Sequence, residues 1–597
     1  MCGFVGYVGE QNEKILKKMT DKIKHRGPDS EGYYISDNVN FGFRRLSIVG
    51  VDKNGDQPIY NEDKTLVMVF NGEIYNYKDL RKDLIKKGYK FKSKSDTEVI
   101  IHGYEEYKEE ILNKLRGMFA FVIYDIKNDL LFGARDFYGI KPFYYYQDES
   151  NFMFASEIKA FLENPNFKKE LNEDKLSEYL TFQYSPGTTT FFKNVYKLLP
   201  GHYFKYKGGL LNINKYYQLE FDYDYTKNET MFEKELEELL YDSIEVHKDS
   251  KIKVGSILTN EIDSYFLSTV SDVNKIFAIS FDMKEYNEIE SIKEISSKIN
   301  TLKKITKKEY FTELNKVQYY MDEPLADPSA INLYILSKLI KPHLKVVLSK
   351  EGIDEIFCGY SDYREYLVFP FYYKIPFFIR KGIGVILGLF GENKITNFFI
   401  KRSGRLEDRY IGNSFIFTET EKKRILKNYN KKHKYNDVTK AYYNLVKDKD
   451  DITKMQHIDI SLGLPGNNLL KLDKMSMANS IEIRTPFLDK ILVDYAIKIP
   501  IQYKVDEKET KKMFRRIVSK KLGETKKDLK TLLPLDIWLK DEDIVNKIRK
   551  EFSKSDKFFK VEELIKLLDN HVNGKKDNSK KIWTIYTYLI WYKEYFN

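Results

Sequence analysis

The sequence predicts two folded halves of different class: an α+β layered half over residues 2–212, then an α/β half with a parallel sheet and a mainly helical C-terminal part over residues 213–597. Three observations carry this. Met118–Tyr124 and Leu130–Ala134 flank a turn at Lys127-Asn128-Asp129, the signal of a hairpin and so of antiparallel pairing. Further on, the short apolar runs Lys251–Leu258, Ile276–Phe281 and Leu344–Ser349 alternate with helical stretches, which is the pattern of a parallel sheet with helices on both faces. Between the two textures, residues 219–229 are polar and acidic and read as a linker, with Pro200-Gly201 as a second candidate break.

The remaining elements follow in order. Thr65–Phe70 is a β-rich run ending at Asn71-Gly72, and Asp79–Lys87 and Thr97–Tyr107 space their apolar residues as helices do. After the linker, Phe232–His247 has helical periodicity, a further helix starts near Asp263, and the chain beyond 430 is mostly helical. The most apolar region, 368–391, is broken by Lys374, Pro376, Arg380 and Lys381. A membrane span needs about 20 unbroken apolar residues, so this region reads as buried or partner-facing helices.

Composition excludes several classes. Aromatic residues are 15% and hydrophobic residues 42% of the chain, which rules out disorder as the main theme. The net charge is +11, with lysines spread along the whole length. No nucleic-acid or membrane partner is therefore expected. Cys2 and Cys358 are the two cysteines, too few for a disulfide framework, and they point to a reducing, cytoplasmic compartment. The N-terminus lacks the basic and apolar regions of a signal peptide. The eight histidines have no zinc-ligand spacing.

Cys2 is the sharpest single residue. If Met1 is removed, its thiol lies beside a free α-amine of pKa near 8, so base and nucleophile share one residue. Around it stand His25-Arg-Gly-Pro-Asp29, Arg44-Arg-Leu-Ser-Ile48, Asn71-Gly-Glu-Ile-Tyr-Asn76, Ser95-Asp-Thr-Glu98, Arg116-Gly-Met-Phe-Ala-Phe121 and Ala134-Arg-Asp-Phe-Tyr-Gly-Ile-Lys-Pro142. In this order they resemble the class II glutamine amidotransferase domain, an N-terminal-nucleophile glutaminase of αββα sandwich fold. The resemblance implies Cys2 as nucleophile, with Asn71 and Gly72 as the oxyanion hole after the strand 65–70. It also implies a glutamine pocket of Arg45, Ser47, Val49, Asn71, Gly72, Glu73 and Asp96. The residue types agree: guanidinium is a two-pronged carboxylate clamp, a carboxylate suits the substrate ammonium, and each oxyanion donor is worth ~3 kcal/mol in other hydrolases.

The second half contains Tyr320-Met-Asp-Glu-Pro-Leu-Ala-Asp-Pro-Ser329, Val346–Tyr360, Leu464–Ala478 and Ile481-Glu-Ile-Arg-Thr-Pro-Phe-Leu-Asp489. These resemble the synthetase domain of glutamine-hydrolysing asparagine synthetase. The resemblance implies that ATP adenylates the aspartate side chain and that glutamine-derived ammonia attacks β-aspartyl-AMP, giving asparagine, glutamate, AMP and pyrophosphate. By motif position, Leu258, Asp263, Ser264, Ile279, Ser349, Lys350, Asp354 and Lys511 border ATP, Arg515 sits near its phosphates, and Glu351 assists formation of the acyl-adenylate. Asp263 and Asp354 are the candidate Mg2+ ligands. Glutamine, aspartate and ATP are the expected small-molecule partners, with a homodimer as the one protein assembly entertained.

Two loops depart from the family pattern. Where the family has Ser-Gly-Gly-x-Asp-Ser this chain has Thr259-Asn260-Glu261-Ile262-Asp263-Ser264, and in the second loop Lys350 replaces a glycine. A carboxylate where pyrophosphate approaches costs affinity. An ion pair between Glu261 and Lys350 is one expectation; direct binding of phosphate by Lys350 is the other. Two further readings stay open: an amidotransferase with a different carboxylate acceptor (a sugar acid or peptide), and a glutaminase whose synthetase half has lost adenylation.

Overall fold

A computed structural model of the chain describes residues 2–48, 55–250, 252–283, 286, 299–388, 399, 402–412, 414–431, 434–523 and 533–597. The first sheet contains β1 (Cys2–Val8), β2 (Ser30–Tyr34), β3 (Val39–Arg45), β8 (Tyr144–Gln147), β9 (Phe152–Ala155) and β10 (Val195–Lys197), in the order β10-β8-β9-β1-β3-β2. The second contains β4 (Ile59–Tyr60), β5 (Leu66–Ile74), β6 (Gly117–Asp125), β7 (Leu130–Arg135), β11 (His202–Lys207) and β12 (Leu210–Lys215), in the order β12-β11-β7-β6-β5-β4. All pairings in both sheets are antiparallel.

Strand alternation explains the layering. Phe4, Phe41 and Phe43 of one sheet pack against Val67, Val69, Ala120 and Val122 of the other in a shared inner core. The intervening residues face outward: Val5 and Tyr7 meet the helix Glu13–Asp21, while Met68 and Phe70 meet the helix Glu98–Tyr107. The result is an αββα sandwich with both sheet faces covered. Asn71-Gly72 does not end a strand as the sequence suggested. β5 runs on to Ile74, because β6 pairs it as far as Ile74↔Gly117.

The second half centres on a parallel sheet of β13 (Val254–Ile257), β14 (Lys275–Phe281), β15 (Ile299–Ile305), β16 (Val346–Leu348) and β17 (Glu482–Arg484), in the order β15-β14-β13-β16-β17. The chain moves outward from β13 to β15, then returns to lay β16 on the other side. In open α/β sheets the loops at the carboxyl ends of two such strands flank a ligand crevice. Here those loops are 258–261 and 349–352. Among the described residues of 368–388, several large apolar side chains are exposed, Phe371 at 81% and Phe378 at 64%. No helix among the described residues is long and apolar enough to cross a membrane.

No helix or strand forms between Lys215 and Glu229, yet this segment is tied down. Tyr216 Oη donates to the Arg135 carbonyl at 2.7 Å and Tyr217 Oη to Asp494 at 2.6 Å. A buried charge network joins the halves more firmly. Arg26 Nη1 lies 2.9 Å from Glu157 and 2.8 Å from Asp473, and Asp322 holds both Lys159 (2.8 Å) and Lys474.

His102 provides a pH test of the first half. Burial opposes its charge, but a hydrogen bond to Glu105 at 2.9 Å and the Glu98 carboxylate 3.6 Å away outweigh burial and lift its pKa to about 9. A raised pKa means the stabilisation is complete below the unfolded value near 6.5 and lost as pH climbs through about 9. Thermal melts between about pH 6 and 10 are therefore expected to show wild type losing more stability with rising pH than His102→Gln.

Candidate active sites

Cys2 opens β1 and Asn71 lies in β5, each on the face of its strand that looks into the crevice between the sheets. Cys2 packs against the inner core that contains Phe4, and Asn71 shares a face with Val67 and Val69 by alternation. The backbone N–H of Cys2 donates to Asn71 Oδ1 at 3.0 Å. Asn71 is fully buried and its Nδ2 has no partner among the described residues. A buried donor left unsatisfied is costly, and an amide N–H aimed at a developing oxyanion is the usual use for one. Burial pushes the Cys2 thiol up from its usual range, while the Leu46 backbone and Arg45 draw it down. A thiol held protonated needs a base beside it.

Arg45 is the strand partner of Cys2 across β3 and donates to Asp56 at 2.7 Å. Asp96 accepts from the Ile74 N–H at 2.9 Å. Burial raises both Glu73 and Asp96, and the charge of Asp96 raises Glu73 further. The structure thus gathers Cys2, Arg45, Asn71, Glu73 and Asp96 at one end of the sandwich. Ser47 is held beside this end by its N–H bond to Asp29 at 2.8 Å, and Val49 lies outside the described residues. Gly72 has a reason other than substrate approach: a Cβ there would meet the Met118 carbonyl oxygen at 2.1 Å. Replacing Asn71 by alanine is expected to lower kcat for glutamine hydrolysis ~10²–10³-fold with little change in KM, measured by glutamate release.

Two side chains that the sequence reading quoted without a role complete this end. Arg484 of β17 lies 3.2 Å from Glu73 and 2.6 Å from Glu482, and all three are buried. The signal was available: a charged pair inside a strand that the parallel sheet buries. Other motif residues prove to be scaffold. Arg135 donates to the carbonyls of Lys141, Leu198 and Gly139, and Asp136 accepts four backbone N–H groups. Asp29 pairs with Lys345 of the second half at 2.6 Å.

At the carboxyl ends of β13 and β16, Glu261, Asp263 and Asp354 present oxygens within 4.8 Å of one another. Lys511 bridges Asp263 (2.9 Å) and Asp354 (3.0 Å). Lys350 contacts Glu261 and lies 3.7 Å from Asp354. The expected Glu261–Lys350 pair is present, and Lys511 is buried rather than part of a solvated face. Carboxylate oxygens are the donors a hard divalent cation takes, but the Lys511 and Lys350 ammonium groups already sit against these. As arranged, the cluster does not offer Mg2+ an open position.

Ser264 is consumed in shaping the same loop: it accepts from the Thr259 N–H at 2.9 Å and faces the Thr259 and Glu261 carbonyls, each at 2.9 Å. Ser349 donates its N–H to the Arg484 carbonyl at 2.9 Å. Leu258 and Ile279 are not brought together. Leu258 packs with Ile276 and Ala278, whereas alternation turns Ile279 to the other face of β14. Glu351 is half-buried just before the short helix Ile353–Ile356.

Glu355, one residue beyond Asp354, faces a cavity of about 570 Å³ that is also lined by Gln183 and Tyr184 from the first half and by Asp327, Asn467 and Asn468 from the second. Burial and the adjacent Asp354 raise Glu355 to about 7. It accepts from Tyr360 Oη at 2.6 Å and from Asn468 Nδ2 at 3.0 Å. The sequence reading gave Glu355 no role, since only its neighbours in the folded chain mark it.

Comparison with known proteins agrees with this two-part arrangement. Residues 1–217 match a family described as a glutamine amidotransferase domain and residues 235–593 one described as asparagine synthase. The chain is 40% identical to asparagine synthetase [glutamine-hydrolyzing] 1 of Bacillus subtilis, over 99% of this chain and 96% of that one. It is 31% identical to a putative asparagine synthetase [glutamine-hydrolyzing] of Mycobacterium tuberculosis over 99% and 97%. It is 30% identical to asparagine synthetase [glutamine-hydrolyzing] 3 of Bacillus subtilis over 86% and 84%. A glutaminase-type sandwich and a parallel-sheet half, matched by both family models and by relatives that cover up to 99% of the chain, place the chain in the glutamine-hydrolysing asparagine synthetase family.

Proposed function

We propose that this chain makes asparagine from aspartate and ATP with ammonia released from glutamine, dividing the work at residues 212/213. The observation that carries the reading is Cys2 set against a buried Asn71 whose Nδ2 has no partner among the described residues, in a chain whose second half presents two charged loops at the switch point of a parallel sheet. Once Met1 is removed, the α-amine of Cys2 accepts the thiol proton, and sulfur attacks the glutamine amide. Arg45 holds the substrate carboxylate and Asp96 its ammonium. The Asn71 amide and the Gly72 N–H receive the oxyanion, and ammonia leaves as the thioester forms.

In the second half, ATP converts the aspartate side-chain carboxylate into β-aspartyl-AMP, because a carboxylate is a poor electrophile and AMP is a good leaving group. Ammonia displaces AMP, and pyrophosphate is the other product. Lys511 and Lys350 are the groups nearest the expected phosphates, and Glu351 assists at the acyl centre. Mg2+ is the ion such phosphates ordinarily bring, but the lysines on Asp263 and Asp354 stand where it is expected, and no step is assigned to it.

Those lysines favour one further reading, a working glutaminase whose synthetase half no longer adenylates. Release of AMP and asparagine separates the two when aspartate and ATP are supplied with either glutamine or ammonium chloride. Asparagine and AMP in equal amounts from both nitrogen sources support synthesis. Glutamate without AMP supports the glutaminase reading, and AMP without asparagine supports another acceptor carboxylate.

A further inference from the structure

Along the helices Pro370–Lys374 and Phe377–Gly388, Phe371, Phe378, Val385 and Ile386 are each more than half exposed. Folded chains seldom leave a run of large apolar side chains in water unless something covers it. The strip is also basic, for no Asp or Glu occurs from Tyr366 to Gly388. Arg380 turns inward and donates to the carbonyls of Ile375 at 3.0 Å and Arg402 at 3.1 Å. Lys374 and Lys381 stay exposed, and neither pairs with a carboxylate among the described residues.

The preceding helix, Ser361–Val368, gives Tyr366 and Leu367 to the wall of a groove of about 760 Å³. Ile452, Ile501 and Val505 add to its apolar lining. Four carboxylates line it too, Asp450, Asp451, Asp506 and Glu507, against one ammonium group, Lys508. Asp450 caps the helix Asp451–Ile458, and neither it nor Glu507 forms an ion pair among the described residues. A basic apolar strip and an acidic apolar groove therefore share an edge.

We propose that a second copy of this chain covers both surfaces, the strip of one protomer lying in the groove of its partner about a two-fold axis. The charges select this occupant. Strip against strip would set Lys374 and Lys381 against like charge, and an anionic lipid surface would meet the carboxylates that border the strip. Because the two surfaces share an edge, one exchange brings the reciprocal one within reach, and the assembly closes as a pair. The inference stands apart from the reaction assigned to the chain.

Sedimentation velocity of the full-length protein over a concentration series tests it. Wild type is expected to pass from a single chain to a two-chain species. Phe371→Glu/Phe378→Glu should weaken pairing at least ~10-fold, because it puts charge on the apolar contact. Lys374→Glu/Lys381→Glu and Asp451→Lys/Glu507→Lys should each weaken it as well. Joining the two charge reversals in one chain should recover most of that loss, which a disturbed fold would not do. Near-UV circular dichroism shows that the variants are folded. Wild type that stays a single chain at every concentration overturns the proposal. Pairing left unchanged by the Phe variants, or charge reversals whose losses add when joined, overturns it too. Flotation with phosphatidylserine vesicles runs alongside. Binding of single-chain wild type that Phe371→Glu/Phe378→Glu abolishes would assign the strip to a lipid surface instead.

Discussion

Replacing Cys2 by alanine is expected to abolish glutamine hydrolysis, with the residual rate at least ~10⁴-fold below wild type, because it removes the thiol proposed as nucleophile and leaves the α-amine nothing to activate. The structure offers no substitute: among the described residues the other cysteine is Cys358, buried in a different cluster of the second half. Glutamate release measures the loss. Cys2 touches the inner core only at its edge, so the fold should persist. If the second half adenylates aspartate, the Cys2→Ala protein should still make asparagine from ammonium chloride. The expected pattern is one activity lost and the other kept, and retained glutaminase activity would refute the site.

The largest expected loss of stability comes from Asp322→Ala. Asp322 is fully buried and joins three parts of the chain. Its carboxylate accepts the backbone N–H groups of Ile158 (2.8 Å) and Lys159 (3.2 Å), holds the Lys159 and Lys474 ammonium groups, and receives Tyr595 Oη at 3.2 Å. Its carbonyl accepts Trp591 Nε1 of the last helix at 2.7 Å. Truncation takes the carboxylate from buried Lys474 and one of two carboxylates from Lys159, which keeps Glu157, and breaking a buried pair costs about 3–5 kcal/mol. Urea unfolding at neutral pH measures it. Burial raises the Asp322 pKa, but the two lysines more than offset this and leave it below the ordinary value. A depressed folded pKa means the contribution is complete above the unfolded value near 3.9 and is lost as pH falls through the lower folded one. The gap between wild type and Asp322→Ala should therefore narrow on strong acidification.

Much of this architecture is legible in the sequence where a local rule governs. The hairpin at 127–129 and the alternation of strands and helices after 250 depend on short-range turn chemistry and periodicity. Pairs far apart in the chain were legible only when charge made them conspicuous: Glu261 and Lys350 stand out because each departs from a glycine. Asp322 between two lysines and Glu355 beside the cavity have no such mark, because tertiary packing alone brings them together; Arg484 stands out as a charge inside a buried strand, but its partner Glu73 does not. The extension of β5 through Asn71-Gly72 was missed for the same reason. An Asn-Gly pair is a turn signal by itself, and only the nine-residue pairing with β6 overrides it.

The central claim is that one chain carries nitrogen from a glutamine amide to an aspartate carboxylate. The direct measurement is the fate of ¹⁵N from amide-labelled glutamine in the presence of aspartate and ATP. The expected result is ¹⁵N in the side-chain amide of asparagine, in equal amount with AMP. Labelled ammonia released to solvent with no AMP formed would contradict it.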